Sequence, residues 1–331
     1  MNRSRRNLLA ASAGLALASP SIEASAAERM PVAAVVGIGP ADAWSAAFRE
    51  SLRELGWVDG TTVRIIWKSG TNEMLPDMLD EAVRTPVDVM VVRSSYVAIA
   101  AMKKTRRIPI VVANSFYPVG AGLAASLSRP GGNVTGRANN AGGIEINGKQ
   151  LALLKEVAPG VTKVAYLTSP LALNEDQFAE GGVDAAGIPN RTVAAGRAVG
   201  IALMRVEIDH RTRLEEAVED AIRRGANGLM VDTPREPRVL VTAAQRYKLP
   251  TVYTYEAGVE AGGLMYYGPS ERDTARQAAA FVDRILRGAK PAELPFEAPS
   301  KMELTVNLKA AKAIGLVIPP SVLIQADRVI Q

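Results

Sequence analysis

The residue types that carry most protein chemistry are scarce in this chain. Its 331 residues contain no cysteine and one histidine, His210. Without cysteine there is no thiol nucleophile, redox pair or thiolate metal site, and a single histidine cannot build a multi-histidine zinc centre. His210 lies in a polar link, residues 209–212, between a predicted strand and a predicted helix, and we interpret it as a solvated loop residue. The sequence therefore favours a protein that is not an enzyme and uses no metal or cofactor.

One partial nucleotide-binding pattern follows the first predicted strand. Gly37 and Gly39 match two glycines of the dinucleotide fingerprint, but Pro40 and Asp42 follow and no third glycine stands in register. A partial match is weak evidence for phosphate binding, so we prefer a tight turn, and an exported Rossmann-type oxidoreductase stays an alternative. Lysine and arginine are not interleaved with aromatic residues, which argues against nucleic acid as a partner.

The first 27 residues are typical of an export signal. Arg3, Arg5 and Arg6 precede an apolar stretch at residues 8–18, and small residues at 24–26 fit a signal-peptidase site. An apolar stretch this short cannot span the roughly 30 Å hydrocarbon core of a membrane as a stable helix. The pair Arg5-Arg6 also resembles the twin-arginine motif, and an ordinary Sec signal is the alternative. We expect a periplasmic or otherwise extracytoplasmic protein.

Short β-branched runs alternate with amphipathic helices through the rest of the chain. Such alternation is typical of parallel sheets covered by helices on both faces. It occurs in two series of similar length, which predicts an α/β fold of two doubly wound parallel-sheet lobes. The predicted strands are residues 32–36, 62–67, 87–92 and 108–113 in the first series and 163–167, 201–208, 228–231 and 250–253 in the second. The predicted helices are residues 44–55, 74–83, 96–104, 145–157, 214–222 and 237–247.

Segments rich in glycine and proline separate the two series and predict a hinge with three crossings. The crossings are marked by residues 129–143, 258–263 and 288–299, and a helix with an apolar face at residues 275–286 lies between the last two. Interwoven lobes of this kind move as rigid bodies about a shared hinge. These boundaries assign residues 28–137 and 259–294 to the first lobe, and residues 138–258 and 295–331 to the second.

Candidate ligand-binding residues directly follow the predicted strands. In open parallel sheets, ligands bind beyond the carboxyl ends of the strands, where loops and helix N-termini converge. A helix N-terminus can hold a carboxylate with its free N–H groups and its dipole. The candidates are Ser94, Ser95, Asn114, Ser115, Phe116 and Tyr117 in the first lobe, and Ser169, Asp232, Thr233, Tyr253 and Glu256 in the second.

Several of these candidates also have a purely structural interpretation. Ser94 or Ser95 can cap a helix, which contributes about 1 kcal/mol. Asp232 can instead pair with Arg235 as a surface ion pair. If the ligand is an amino acid, Asp232 or Glu256 is expected to meet its ammonium group.

The residues at the predicted junctions resemble one protein family. Residues 118–136, which end in Asn-Val-Thr-Gly, resemble a segment that is typical of this family. Residues 48–60 resemble the N-terminal helix and turn of the family. Residues 261–268 resemble its strand at the second crossing, and residues 285–295 and 303–320 resemble its C-terminal signature. The family is the substrate-binding proteins of ABC transporters, which includes tryptophan-binding members.

The resemblance implies a type I periplasmic-binding-protein fold that delivers ligand to a membrane permease, and it implies no catalytic residues. Tyr117 and Tyr266 stand where the family usually has aspartate and serine, and residues 171–200 resemble the family poorly. We therefore expect an exported, monomeric protein that captures an amino acid or another small carboxylate between its lobes for an ABC importer. A ligand-sensing module for a receptor stays an alternative, because no sequence feature separates the two.

Overall fold

The strands of the protein form two separate sheets. The computed structural model describes residues 29–38, 43–71, 73–139, 146–168, 182–185, 188–209, 211–233 and 235–331. The first sheet has five parallel strands in the order β2-β1-β3-β4-β5. Its strands are β1 (Val32–Ile38), β2 (Arg64–Gly70), β3 (Val89–Val92), β4 (Ile110–Ser115) and β5 (Val134–Ala138).

Four of the described helices cover this sheet, and together they form lobe 1. Helices α2 (Leu75–Arg84) and α3 (Ser95–Lys104) pack on one face. Helices α1 (Ala43–Glu54) and α9 (Glu271–Leu286) pack on the other. Residues three and four apart share one face of a helix, so α1 turns the apolar stripe that begins at Trp44 toward the sheet.

The second sheet has seven strands in the order β12-β11-β10-β9-β8-β6-β7, and with its helices it forms lobe 2. All neighbouring strands are parallel except β10 and β11, which are antiparallel. The strands are β6 (Lys163–Thr168), β7 (Ala202–Glu207), β8 (Gly228–Asp232), β9 (Thr251–Tyr253), β10 (Met265–Pro269), β11 (Met302–Asn307) and β12 (Arg328–Ile330). The helices are α4 (Ile146–Val157), α5 (Asn190–Ala198), α6 (Leu214–Arg223), α7 (Pro237–Arg246), α8 (Glu256–Glu260), α10 (Leu308–Ala313) and α11 (Pro320–Gln325).

Helices cover both faces of the second sheet as well. Residues of α4, α10 and α11 share one hydrophobic cluster with one face of the sheet. Residues of α6 and α7 share a second cluster with the opposite face. The predicted fold class, two doubly wound α/β lobes, is therefore confirmed. Helix α5, which lies within the stretch that resembles the family poorly, and the short helices α8, α10 and α11 are additions that the sequence pattern did not predict.

The second crossing lies at Ser270 and not at residues 258–263, where glycines predict it. Strand β10 pairs with β9, so residues 259–269 belong to lobe 2, and the chain returns to lobe 1 with α9. The glycines have a different role, because a Cβ atom on Gly258 or Gly263 would lie 2.2 or 2.3 Å from the ring of Tyr253. They make room for a buried aromatic ring instead of forming a hinge.

The first and third crossings lie slightly later in the chain than predicted. Residues 134–138, which lie within the predicted first junction, form strand β5, so Ala138 belongs to lobe 1. Phe296 packs in the core of lobe 1, and Glu297 forms a bridge with Arg137 of β5. The third crossing therefore falls between Glu297 and the start of β11, which moves residues 295–297 from lobe 2 to lobe 1.

Two of the crossings join the carboxyl edges of the sheets, the edges formed by the carboxyl ends of parallel strands. Helix α4 runs back to the start of β6, so its first residue, Ile146, lies at the carboxyl edge of lobe 2, and the crossing from Ala138 links it to β5. At the second crossing, Arg137 Nη1 donates to Thr274 Oγ1 at 2.6 Å, which places the first turn of α9 beside the end of β5. The carboxyl edges of the two sheets therefore lie next to one another at these crossings.

No helix among the described residues combines the length and the apolar composition that a membrane span requires.

Gly136→Ala is expected to destabilise lobe 1 by more than about 1 kcal/mol. Gly136 has a φ of +145°, and a Cβ atom there would lie 2.0 Å from the carbonyl oxygen of Val112 on the neighbouring strand. Chemical denaturation of both proteins measures the effect. Gly160→Ala is the matched control, because a Cβ atom at Gly160 meets nothing within 4 Å. Equal stability of the two variants would contradict this close approach of β5 to β4.

Candidate functional site

Two serine residues from different strand ends meet at the carboxyl edge of lobe 1. Ser94 follows β3 and is the N-cap of α3, where its side chain accepts a hydrogen bond from the Val97 N–H at 3.4 Å. Ser95 is 1% exposed, and its hydroxyl donates to Ser115 Oγ at the end of β4 at 2.7 Å. The structural interpretation of Ser94 as a cap is therefore confirmed, and Ser95 and Ser115 form a buried pair directly beneath it.

Asn114 lies beside this pair and is held by a residue that the sequence did not single out. Asn139, the residue after β5, donates its side-chain N–H to Asn114 Oδ1 and its backbone N–H to the carbonyl of Ser115 at 2.6 Å. Asn139 is buried, and its Oδ1 has no hydrogen-bond partner within the described ranges. An unsatisfied buried acceptor is costly, so Asn139 Oδ1 can accept a hydrogen bond from a donor outside the described residues.

Phe116 and Tyr117 directly follow β4 at the carboxyl edge of lobe 1, and both are half-buried. Their ring centroids are 6.3 Å apart and the rings are tilted by 41°. Aromatic rings in such positions offer apolar faces on which a flat ligand can stack. Packing beneath a loop is the structural alternative, and contact with ligand stays a prediction for both residues.

Asp232 is the acidic residue at the carboxyl edge of lobe 2, and hydroxyl groups surround its carboxylate. Asp232 Oδ2 accepts from the Tyr166 hydroxyl at 2.9 Å and lies 3.5 Å from Thr168 Oγ1. Asp232 Oδ1 accepts from Thr254 Oγ1 at 2.6 Å. Burial raises the pKa of Asp232 above its ordinary value, while these hydroxyl donors and the charge of Arg205 act in the opposite direction.

The expected alternative for Asp232, an ion pair with Arg235, is not what the structure contains. Arg235 Nε lies 3.1 Å from Glu236 Oε1, and Arg235 Nη1 donates to the carbonyl of Thr212 at 2.9 Å. Thr233, the next predicted site residue, is buried and accepts a hydrogen bond from the backbone N–H of Arg235 at 3.3 Å. Neutral donors therefore hold the Asp232 carboxylate, whereas the Thr233 hydroxyl holds the backbone of the loop that follows β8.

Tyr253 does not line the cleft, although it was a candidate because it ends a strand. Tyr253 and Tyr255 alternate along the chain, so only one of them is expected to face the cleft. Tyr253 is 2% exposed and lies in the hydrophobic core of lobe 2 with α6 and α7. Its hydroxyl finds no hydrogen-bond partner in the part of the chain that the structure describes, and burial raises its pKa. The ring packs inward because Gly258 and Gly263 leave the space for it.

Glu256 is the first residue of helix α8, and its carboxylate contacts Arg328 of the C-terminal strand β12. Its Oε1 lies 3.4 Å from Nη1 of Arg328, and its side chain is 18% exposed. Burial raises the pKa of Glu256, and the charge of Arg328 opposes this shift. Of the two acids proposed to meet an ammonium group, Asp232 is therefore the one without a basic side chain within 4 Å among the described residues. Ser169 and His210 lie outside the described residues, as do Gly39 and Pro40.

Three further residues contact Asp232, and the sequence contained a pattern from which two of them could have been predicted. Tyr166 and Thr168 are two residues apart on β6, and alternate residues of a strand share one face of its sheet. Both hydroxyls meet Asp232 because β6 pairs with β8 in parallel, with Thr168 opposite Asp232. Thr254 follows β9 in the same way. Once the order of the strands is known, the alternation of side chains along β6 therefore predicts which hydroxyl groups contact Asp232.

The two parallel-sheet lobes, linked by three crossings at adjoining carboxyl edges, define an α/β fold of the type I periplasmic-binding-protein kind. A sequence profile described as ABC transporter substrate binding protein matches residues 30–330. The chain belongs to that family, and it is a substrate-binding protein of ABC transporters.

Individual relatives agree with this assignment. The chain is 24% identical to the tyrosine-binding protein of Clostridioides difficile (strain R20291) over 271 residues, which cover 81% of this chain and 75% of the relative. Its fold is similar to that of a conserved domain protein from Vibrio cholerae, with a TM-score of 0.79 and 23% identity over 91% of this chain and 100% of that one. It is also similar to an ABC domain in complex with L-Trp from Streptococcus pneumoniae, with a TM-score of 0.77 and 22% identity over 91% and 99% of the two chains.

Asp232→Asn is expected to change how stability depends on pH. Burial raises the folded-state pKa of Asp232 above its unfolded value of about 4, so the folded protein holds this proton more tightly than the unfolded chain. The free energy of unfolding of the wild type should therefore fall relative to that of D232N as the pH rises from about 4 through the folded pKa. Thermal melts of both proteins across this range measure the difference. A difference in melting temperature that does not vary with pH would refute it.

Proposed function

We propose that this protein captures a free amino acid in the cleft between its lobes and presents the closed form to an ABC permease. The observation that carries this proposal is the enclosed carboxylate of Asp232 at the carboxyl edge of lobe 2. Membership in the substrate-binding family supports the capture of a solute, whereas the amino-acid class is argued from the site.

The surroundings of Asp232 suit an ammonium group. A carboxylate has about four lone-pair positions, and hydroxyls of Tyr166 and Thr254 occupy one on each oxygen at hydrogen-bond distance. The remaining positions can accept N–H donors from a ligand. Burial disfavours the ionised acid in the empty protein, and a bound cation offsets that cost by Coulomb attraction in a poorly solvated site. An ammonium group therefore gains more binding free energy at Asp232 than it would beside a solvent-exposed carboxylate.

The edge of lobe 1 supplies complementary features for the rest of an amino acid. The N-terminus of α3, capped by Ser94, directs its dipole toward the cleft and favours a negative group. Phe116 and Tyr117 offer aromatic faces to a side chain. The names of two relatives, a tyrosine-binding protein and an ABC domain in complex with L-Trp, point to the same class of ligand.

Closure of the lobes would bury the ligand and create the surface that a permease recognises. The three crossings leave the lobes free to rotate about the hinge while each moves as a rigid body. We propose that the protein acts as an extracytoplasmic monomer and that it has no catalysis of its own, in keeping with a family of binding proteins.

Asp232→Asn should lower the affinity for L-tryptophan or L-tyrosine about 10- to 100-fold, because it removes a charge-assisted hydrogen bond. Asparagine keeps the shape of the side chain and can still accept from Tyr166, so the variant should fold. Isothermal titration calorimetry measures the loss. Asp220→Asn is the control, since Asp220 lies on α6 in the same lobe and pairs with Arg223 at 3.1 Å on the surface. Equal affinities of wild type and D232N would sink the assignment of the ammonium group to Asp232.

The route of export can be tested at the two arginines of the N-terminal segment. Replacement of Arg5 and Arg6 together by lysine keeps the charge but removes the planar guanidinium groups. If the segment is a twin-arginine signal, the double variant should accumulate in the cytoplasm as precursor, while Arg3→Lys should be exported normally. Cell fractionation with precursor and mature forms resolved on a gel measures this. Undiminished export of the double variant would indicate the Sec route.

A further inference from the structure

Two of the three crossings leave lobe 2 as a hydrogen-bonded pair of chain segments. Strands β10 and β11 are antiparallel, and the last residues that they pair before the crossings are Pro269 and Met302. The pairing continues past the strands, because the backbone N–H of Ser270 donates to the carbonyl of Lys301 at 3.4 Å. The second crossing, at Ser270, and the third crossing, between Glu297 and β11, therefore lie side by side where they leave lobe 2.

On the lobe 1 side, side chains of α9 hold the third crossing against the helix. Oδ2 of Asp273, in the first turn of α9, accepts a hydrogen bond from the hydroxyl of Ser300. Gln277, one turn further along the helix, donates its side-chain N–H to the carbonyl of Ala298 at 3.1 Å. Because residues four apart share one face of a helix, the third crossing runs along a single face of α9. The two crossings are thus tied together on both sides of the hinge.

The carboxylate of Asp273 does not serve the local motif to which its position belongs. Ser270 is the N-cap of α9, and its side chain accepts from the backbone N–H of Asp273 at 3.4 Å. An acid three residues after a serine cap ordinarily completes a capping box by accepting from the backbone N–H of the cap. In this protein the N–H of Ser270 is donated to Lys301, and the carboxylate accepts from Ser300 instead. Half of a local capping motif has become a contact between two crossings.

The contact between Asp273 and Ser300 is the strongest of these ties. The side chain of Asp273 is 7% exposed, and a hydrogen bond to a charged group is stronger than one between neutral groups. Arg284 and Glu297 also join α9 to the third crossing, at 2.9 Å, but their side chains are 35% and 40% exposed, and exposed ion pairs contribute little. The other partner of Asp273, Arg276 at 2.5 Å, belongs to α9 itself and links no crossings.

We infer that the hydrogen bond from Ser300 to Asp273 locks the second and third crossings into one hinge segment and thereby limits the orientations that the two lobes adopt. With the bond in place, both crossings must change their backbone angles together, because neither shifts relative to the other without breaking it. Without the bond, residues 298–301 move independently of the first turn of α9, and the lobes gain orientations that the paired crossings exclude. The inference concerns the hinge alone, so it does not depend on which solute the protein binds.

The test measures the distance between the lobes directly, and the lack of cysteine in the sequence makes site-specific labelling possible. Lys103→Cys on α3 of lobe 1 and Lys312→Cys on α10 of lobe 2 place one spin label at an exposed position of each lobe. Pulsed electron paramagnetic resonance then gives the distribution of distances between the labels in the protein without ligand. The labelled protein is compared with and without Ser300→Ala. Ser321→Ala is the matched control, because Ser321 also donates to a carboxylate, Oε1 of Glu156 at 2.5 Å, but both residues belong to lobe 2.

S300A is expected to broaden the distribution of distances, whereas S321A should leave it unchanged. Ser300→Thr keeps a hydroxyl donor and should restore the narrow distribution. Hydrogen exchange gives a second measure, because the backbone N–H of Ser270 should exchange about 10- to 100-fold faster in S300A once the crossings separate more often. Melting temperatures check folding. Asp273→Asn, which keeps the shape of the side chain and removes its charge, should broaden the distribution less than S300A and carries the comparison if S300A does not fold.

Two outcomes overturn the inference. A distribution in S300A that is as narrow as that of the parent protein means that the contact only stabilises the fold, even if Ser270 exchanges faster. Equal broadening in S300A and S321A means that the loss of any serine–carboxylate hydrogen bond has this effect, so the crossings have no special role. Neither outcome bears on ligand capture, which the affinity of D232N tests separately.

Discussion

Ser270 is the single residue between β10 of lobe 2 and α9 of lobe 1, and this short connection holds the carboxyl edges of the two sheets together. The hydrogen bond from Arg137 to Thr274 fixes the first turn of α9 at the end of β5 on the other side of the joint. Because this connection is a single residue, the carboxyl edges of the two sheets lie next to one another.

Neutral donors surround Asp232 at the carboxyl edge of lobe 2. Hydroxyl groups of Tyr166 and Thr254 orient its carboxylate without neutralising the charge, and burial raises the pKa of Asp232 above its ordinary value.

Local sequence patterns predicted most of the strands and helices. They failed where a glycine serves close packing, because the same residue type is also typical of a hinge. The apolar runs of β1, β3, β6 and β8 were readable because alternation and burial leave a signal within a few residues. Strand β5 follows Pro130, Gly131 and Gly132, so its segment looked like a hinge, although Gly136 is required by close contact with Val112. Gly258 and Gly263 also looked like hinge residues, although they accommodate the ring of Tyr253. In the sequence, a glycine that allows close packing looks the same as a glycine in a turn. Only the position of the neighbouring strand or side chain shows which of the two roles it has.

The sequence by itself determined the family, the two-lobed α/β class and the list of post-strand positions, because hydrophobic periodicity and strand ends are properties of short segments. The tertiary structure decided what surrounds each of those positions. Tyr253 packs in the core of lobe 2, Glu256 pairs with Arg328, and hydroxyl groups surround Asp232. Each of these contacts is made with a residue that is distant in the sequence. The order of strands in the sheet and the crossings between lobes determine which residue that is, and no local sequence pattern encodes either of them.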